Sequence, residues 1–239
     1  MSLPGNPHGG LTPEEKVEQQ KLRQEYIAAV KMNLRTQLDN IDVQGEKTER
    51  SINLGEKYGK QESIRKTALS RRKTLTQEEM KKKSSAICRK LLQLPEFLES
   101  KHVYVYMDIK KEVMTRDFIK KAWALGKTVA VPKVHGDEMD FYWLTSFAQL
   151  EPGYFGVAEP TYGDVAGDED AFILIPGVAF DVNRHRIGYG RGYYDKYLAK
   201  HPKLRSVAVA YDLQVFPEIP HEELDIRPSV LVTETEVYR

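Results

Sequence analysis

Three alternate glycines, Gly188, Gly190 and Gly192, accompany Arg186 and Arg191 in the run from Asp181 to Asp195, DVNRHRIGYGRGYYD. With no Cβ, these positions let the backbone approach a ligand closely, and their amides can point at phosphate oxygens. The two guanidinium groups could hold such oxygens with forked donors. The run has neither the GxGxxG form of a dinucleotide fold nor the GK[ST] ending of a P-loop. On spacing alone it is either a phosphate-binding loop or a glycine-rich turn, because glycine most often punctuates loops.

The elements that must carry this run can be read on either side of it. Phe172-Ile173-Leu174-Ile175 followed by Pro176-Gly177 reads as a buried strand entering a loop. A helix is predicted over Arg191–Lys200, with the positive end of its dipole toward the glycines. Open α/β sheets bind ligands beyond the carboxyl ends of their strands, where this loop lies. Further strands are predicted around Val103 and Val105 and over Thr128–Val131, Asp140–Leu144, Ser206–Tyr211 and Val230–Thr233. Thr76 and Glu79 form a capping box ahead of a helix with Met80, Ile87 and Leu91 on one face. Thr115 is expected to cap a helix bearing Phe118, Ile119, Ala122, Trp123 and Leu125 and ended by Gly126. Short apolar strands interleaved with helices imply an α/β fold, a single Rossmann-like three-layer domain with a mainly parallel or mixed central sheet.

Composition places that domain. Among 13 tyrosines, eight phenylalanines and two tryptophans, only Tyr26 and Tyr58 precede Lys60. The compact domain is therefore read as residues 60–239, and residues 1–59 as a helical N-terminal extension. In the extension, Thr12 is predicted to cap a helix from Pro13 to about Leu38, and residues 42–59 read as a polar linker. The formal charge of +1 predicts no general attraction to nucleic acid or anionic membrane. A basic helical face of Lys66, Arg71, Arg72 and Lys73 is the one feature that would favour a nucleic-acid-binding alternative, and charge runs are usually solvated surface. Cys88, the only cysteine, excludes an internal disulfide framework and reads as a small packed side chain. Nothing in the chain is apolar for long enough to span a bilayer or form a signal core, so a soluble, cytoplasmic protein is expected, as a monomer.

The order of motifs is more specific than the glycines. Pro-Gly-Val-Ala-Phe-Asp at 176–181, followed by Arg-Ile-Gly-Tyr-Gly-Arg-Gly-Tyr-Tyr-Asp at 186–195, closely resembles the signature of the 5-formyltetrahydrofolate cyclo-ligase family, also called methenyltetrahydrofolate synthetases. Ser63-Ile64-Arg65 ahead of Thr76-Gln77-Glu78-Glu79 looks like that family's basic first helix and its boundary. Lys-Glu-Val-Met-Thr at 111–115, Val131-Pro132-Lys133, Met139-Asp140-Phe141, Phe155-Gly156-Val157-Ala158-Glu159-Pro160, Asp225 and Val232-Thr233-Glu234 extend the resemblance from about Lys60 to Glu234.

The resemblance implies ATP-dependent closure of 5-formyltetrahydrofolate to 5,10-methenyltetrahydrofolate, with release of ADP and phosphate. The implied route phosphorylates the formyl oxygen, after which the folate's other amine attacks the activated carbon. Lys60, Arg65 and the run Arg186, Ile187, Gly188, Tyr189, Gly190, Arg191, Gly192, Tyr193 and Tyr194 would bind ATP. Met107, Glu112, Met139, Phe155 and Tyr193, together with the loop from Tyr189 to Gly192, would line the folate site. Arg186, Arg191 and Tyr193 would carry catalysis, and Asp195 with Asp225 would serve Mg2+. Three positions depart from the family pattern. Gln61 replaces a basic residue, so Lys60 or Lys66 would have to substitute. Arg184 stands at a turn glycine, which predicts a reshaped loop. Arg227-Pro228-Ser229 follows Asp225 in place of the usual apolar-plus-Asp pattern. His185 has no assigned chemistry and reads as a surface residue. A family member that binds folate or nucleotide without turnover is the runner-up.

Overall fold

A computed structural model describes residues 49–153, 156–168, 170–222 and 225–239. The helix expected over Pro13–Leu38 and the folate-lining assignment of Phe155 lie outside the described residues. Helix α1 (Glu49–Thr74) begins inside the stretch expected to be a linker. Polarity signalled exposure there, but exposure does not prevent helix formation where Glu, Lys, Arg and Leu are frequent and Pro is absent.

Seven strands make the central sheet, in the order β12-β11-β9-β6-β1-β2-β3. Five of them, β1 (His102–Val105), β2 (Thr128–His135), β6 (Phe172–Ile175), β9 (Arg205–Val209) and β11 (Val230–Val232), run parallel, while the edge strands β3 (Glu138–Leu144) and β12 (Val237–Tyr238) are antiparallel. Alternation along the strands divides the core in two. Val103, Val105, Phe172, Leu174, Val207, Val209, Val230 and Val232 face one side, where α2 (Gln77–Leu91), α3 (Pro95–Leu98) and α4 (Arg116–Ala124) bring Ile87, Leu91, Phe97, Phe118 and Ile119. Tyr104, Ile173, Ile175, Ala208 and Leu231 face the other, against Phe141, Phe180, Tyr197 and Leu198 of the hairpin, the glycine-loop approach and α5 (Tyr193–Lys200). Burial on both faces is why the parallel strands read as continuous apolar runs.

Local punctuation mostly follows the sequence. Thr76 and Glu79 form the reciprocal capping box. Helix α4 ends in a Schellman pattern: Gly126 has φ 75°, and the amides of Gly126 and Lys127 donate to the carbonyls of Trp123 and Ala122. Thr115 occupies the N-cap but does not cap α4 with its side chain. Its amide and hydroxyl both donate to Asp108 Oδ1, so it anchors the loop after β1. The helix predicted from Arg191 starts at Tyr193, with Gly192 at its N-cap in a left-handed conformation, φ 67°. Cys88 is buried.

A small three-stranded sheet, β10 (Val215–Phe216), β7 (Ala179–Asp181) and β8 (Arg186–Ile187), holds the start of the glycine run. Ala68 of α1 packs with Val178, Ala179, Ile187 and Ile219 of this subassembly. That seat orients α1 so that Arg65 and Arg72, two turns apart, lie on the side of the helix facing the glycine run.

Candidate active site

The large sheet changes direction of winding at β1, which has β2 on one flank and β6 on the other. A crevice is expected beyond the strand ends at such a switch point. A cavity of about 530 Å³ opens there. The loop after β1 supplies Met107, Lys110 and Glu112, strand β2 and the hairpin supply Pro132, Val134 and Met139, and α1 supplies Gln61 and Arg65. The glycine run supplies every residue from Arg186 to Asp195, and Asp225 also lines the cavity.

Arg186 is fixed before any ligand arrives. Its Nη2 donates to Asp195 Oδ1 at 2.7 Å and its Nη1 to the Pro176 carbonyl at 3.4 Å, while its Nε is buried with no partner among the described residues. Arg65 Nε donates to the Gly188 carbonyl at 3.1 Å and so ties α1 to the loop. Gly190 has φ 94°, a conformation costly for residues with a Cβ. Tyr193 donates from its hydroxyl to the Gly136 carbonyl at 3.0 Å, pinning α5 to the β2–β3 hairpin. Both Tyr193 and Tyr194 line the cavity although neighbouring helical side chains point about 100° apart. Tyr194 is also packed against both core clusters, and burial pushes its hydroxyl pKa well up.

Glu112 is buried. Its Oε1 accepts from the Tyr189 hydroxyl at 2.6 Å and its Oε2 from the Ile109 amide at 2.9 Å. Burial raises its pKa above the usual carboxylate value, and the Tyr189 hydrogen bond, the Ile109 amide and the nearby Arg72 charge oppose that rise. Tyr189 in turn accepts from Arg72 Nη2 at 2.7 Å. Arg72 is 2 % exposed, so the basic run is not one solvated face. Arg71 lies over the Phe216 ring with its guanidinium carbon 4.9 Å from the centroid.

Several expectations change here. Lys60 is exposed and does not line the cavity, whereas Gln61 does, donating its amide to the Pro220 carbonyl. Arg184 adopts φ 70°, the left-handed conformation a turn glycine would take, and its amide closes the turn onto the Asp181 carbonyl at 2.9 Å. The turn is therefore kept rather than reshaped, and the Arg184 side chain donates to the Pro228 carbonyl. Arg227-Pro228-Ser229 thus serves the same junction. His185 is no free surface residue: its Nδ1 lies 2.9 Å from Asp181 Oδ2, and its ring stacks on His221 at 3.6 Å. Sequence reasoning missed Arg72, Asp181 and Gln214 as supports. Asp181 is fully buried and accepts from the amides of Asn183, His185 and Ile219. Gln214 holds the Gly177 and Val178 carbonyls. The Pro-Gly-Val-Ala-Phe-Asp wording carried a signal for Asp181, but nothing local marked Gln214.

Asp195 and Asp225 both line the cavity, and the Ile226 amide donates to Asp195 Oδ1 at 3.3 Å, linking the two segments. Among the described residues no three His, Cys, Asp or Glu side chains gather into a metal cage. One or two carboxylates beside a phosphate-binding loop fit an ion that keeps water and phosphate in its coordination shell.

Comparison with known proteins assigns most of the chain to one family. The model of the 5-formyltetrahydrofolate cyclo-ligase family matches residues 57–234, and one described as a bacterial protein of unknown function matches residues 6–50. A probable 5-formyltetrahydrofolate cyclo-ligase of Schizosaccharomyces pombe is 35% identical over 175 residues, 65% of this chain and 86% of that protein. The Mus musculus 5-formyltetrahydrofolate cyclo-ligase is 29% identical over 188 residues, 72% of this chain and 92% of its own. The solved structure of Aquifex aeolicus 5,10-methenyltetrahydrofolate synthetase superimposes with a TM-score of 0.68 at 40% identity, covering 75% of this chain and 92% of that one.

Proposed function

The chain belongs to the 5-formyltetrahydrofolate cyclo-ligase family and is an enzyme of that kind, and we propose on that footing that the cavity closes 5-formyltetrahydrofolate to 5,10-methenyltetrahydrofolate with consumption of ATP. One observation carries the reading. Arg65, Arg186, Arg191, the glycine backbone and the buried carboxylate of Glu112 all line a single cavity.

In this reading the first step transfers the γ-phosphoryl group from ATP to the formyl oxygen, breaking the bond to ADP. The folate's second amine then forms the new C–N bond and gives up its proton to water, and the C–O bond breaks to release phosphate. Charge spreads over the phosphoryl oxygens in the transfer, so positioning and neutralisation supply most of the rate. Arg186 and Arg191 meet that charge, Arg65 holds the loop and a phosphate, and the loop amides complete the cradle. Asp195 and Asp225 would hold Mg2+, which when bound neutralises phosphate charge and eases departure of ADP. Arg186 would then exchange Asp195 for phosphate. Glu112, Met107, Met139 and Tyr193 would line the folate end, where a carboxylate suits a ligand carrying adjacent N–H donors such as a pterin.

The test is direct. Purified protein given 5-formyltetrahydrofolate, ATP and Mg2+ should accumulate the near-ultraviolet absorbance of the methenyl product. Omitting any one of the three should abolish the rise. Gln61 in place of a cation makes a binder without turnover the competing outcome, recognised by folate binding with no product.

A further inference from the structure

Among the described residues Arg72 is a buried cation without a direct carboxylate hydrogen bond. It is 2 % exposed, its Nη2 is bonded to a neutral hydroxyl, and its Nη1 has no partner among the described residues. Burying a charge is costly unless an opposite charge or ligand compensates it. A nearby opposite charge is Glu112, one tyrosine hydroxyl away. The interposed Tyr189 matters for what Glu112 can do. A forked Arg–carboxylate pair would occupy both oxygens of Glu112. Here Oε1 takes one hydrogen from Tyr189 and Oε2 one from Ile109, which leaves lone pairs on both oxygens of an ionised carboxylate.

We propose that Arg72 is a positioning residue for Glu112: across the Tyr189 hydroxyl it sets a positive charge behind that carboxylate, fixes its orientation and locks the glycine loop against it. The proposal rests on the reading of Glu112 as a folate contact. Arg72 comes from α1, Tyr189 from the glycine loop and Glu112 from the loop after β1, so the chain of hydrogen bonds also joins the proposed ATP and folate walls. The other ionisable groups facing Glu112 are Asp108 of its own loop, Tyr106 after β1 and Tyr194 of α5, and the Tyr211 hydroxyl donates to its main-chain carbonyl. Asp108 opposes ionisation of Glu112, and Arg72 is the cation that favours it.

Arg72→Met keeps a long apolar stem and removes the charge. Its expected result is a rise of about tenfold in the folate KM, and movement of the acid limb of folate kcat/KM up by about one pH unit, the scale of one close opposite charge. Arg72→Lys should return the acid limb toward its original position without restoring KM fully, because an ammonium lacks the guanidinium geometry. If Arg72→Met does not fold, Tyr189→Phe cuts the same chain and should shift the acid limb in the same direction. Glu112→Gln separates the two readings: it should raise folate KM and flatten the acid limb. If it does so while folded Arg72→Met leaves both KM and limb in place, Arg72 has no such role. If Glu112→Gln leaves folate KM unchanged, the folate-contact reading fails first and takes the proposal with it.

Discussion

The most consequential single side chain is Arg186, because its surroundings make it both rigid and incompletely satisfied. Two of its nitrogens are bonded, to Asp195 and to the Pro176 carbonyl, while its Nε is buried with no partner among the described residues. A group held in this way costs little reorganisation when charge develops beside it. Arg186→Ala should lower kcat/KM by roughly 10²–10³, the usual loss for one preorganised donor. A loss below threefold in the methenyl-product assay would place the phosphate contacts elsewhere. The type and neighbours of Arg186 were legible in sequence, since Arg-Ile-Gly-Tyr-Gly-Arg-Gly marks it. Arg72 was not, because a basic residue in a basic run looks solvated until the helix face is known.

At the scale of elements, the site depends on how the loop leaving β6 is shaped. Gly177 lies where an added Cβ would come within 2.3 Å of the Phe180 ring. Phe180 is fully buried and cannot swing away freely. Gly177→Ala should therefore destabilise the fold by about 1–3 kcal/mol, as overpacking does. Denaturant midpoints read this, and an unchanged midpoint would show that the ring relaxes. Because Gln214 grips the carbonyl of Gly177, the same variant should also raise the ATP KM. The glycine run was visible in sequence as a loop, yet its supports were not. Gln214 acts through contacts 36 and 37 residues away, and Asp181 adds to its local turn bonds one to Ile219, 38 residues away.

For the whole molecule, a buried carboxylate such as Glu112 should leave its mark on stability. The pKa of Glu112 is raised from its ordinary 4.5, chiefly by desolvation. Folded protein then binds that proton more tightly than unfolded chain. The stability supplied by protonated Glu112 is full below 4.5 and is lost as pH rises through the raised folded value. Glu112→Gln cannot lose it. The melting temperature of the variant minus that of the unaltered protein should therefore grow as pH rises from about 4.5 and then level off. A difference flat in pH would contradict the burial argument. The variant that gains in this comparison is the one expected to lose folate affinity, a common conflict between stability and function.

Sequence alone determined the fold class, the family and the loop at the centre of the site. Strand alternation, helix caps and the ordered glycine and arginine motif are local features, readable from periods of two and 3.6 residues and from residue type. The turn conformation at Arg184 and the exposed position of Lys60 required the folded chain, because each depends on what packs around it. Strand order, and with it the crevice between the loops after β1 and β6, was decided only by tertiary structure. So was the union of Arg72, Tyr189 and Glu112, in which residues 117 and 77 positions from Tyr189 in sequence both become hydrogen-bonded to its hydroxyl. Such meetings depend on which helix face is seated on the small sheet, and no local pattern specifies that seat.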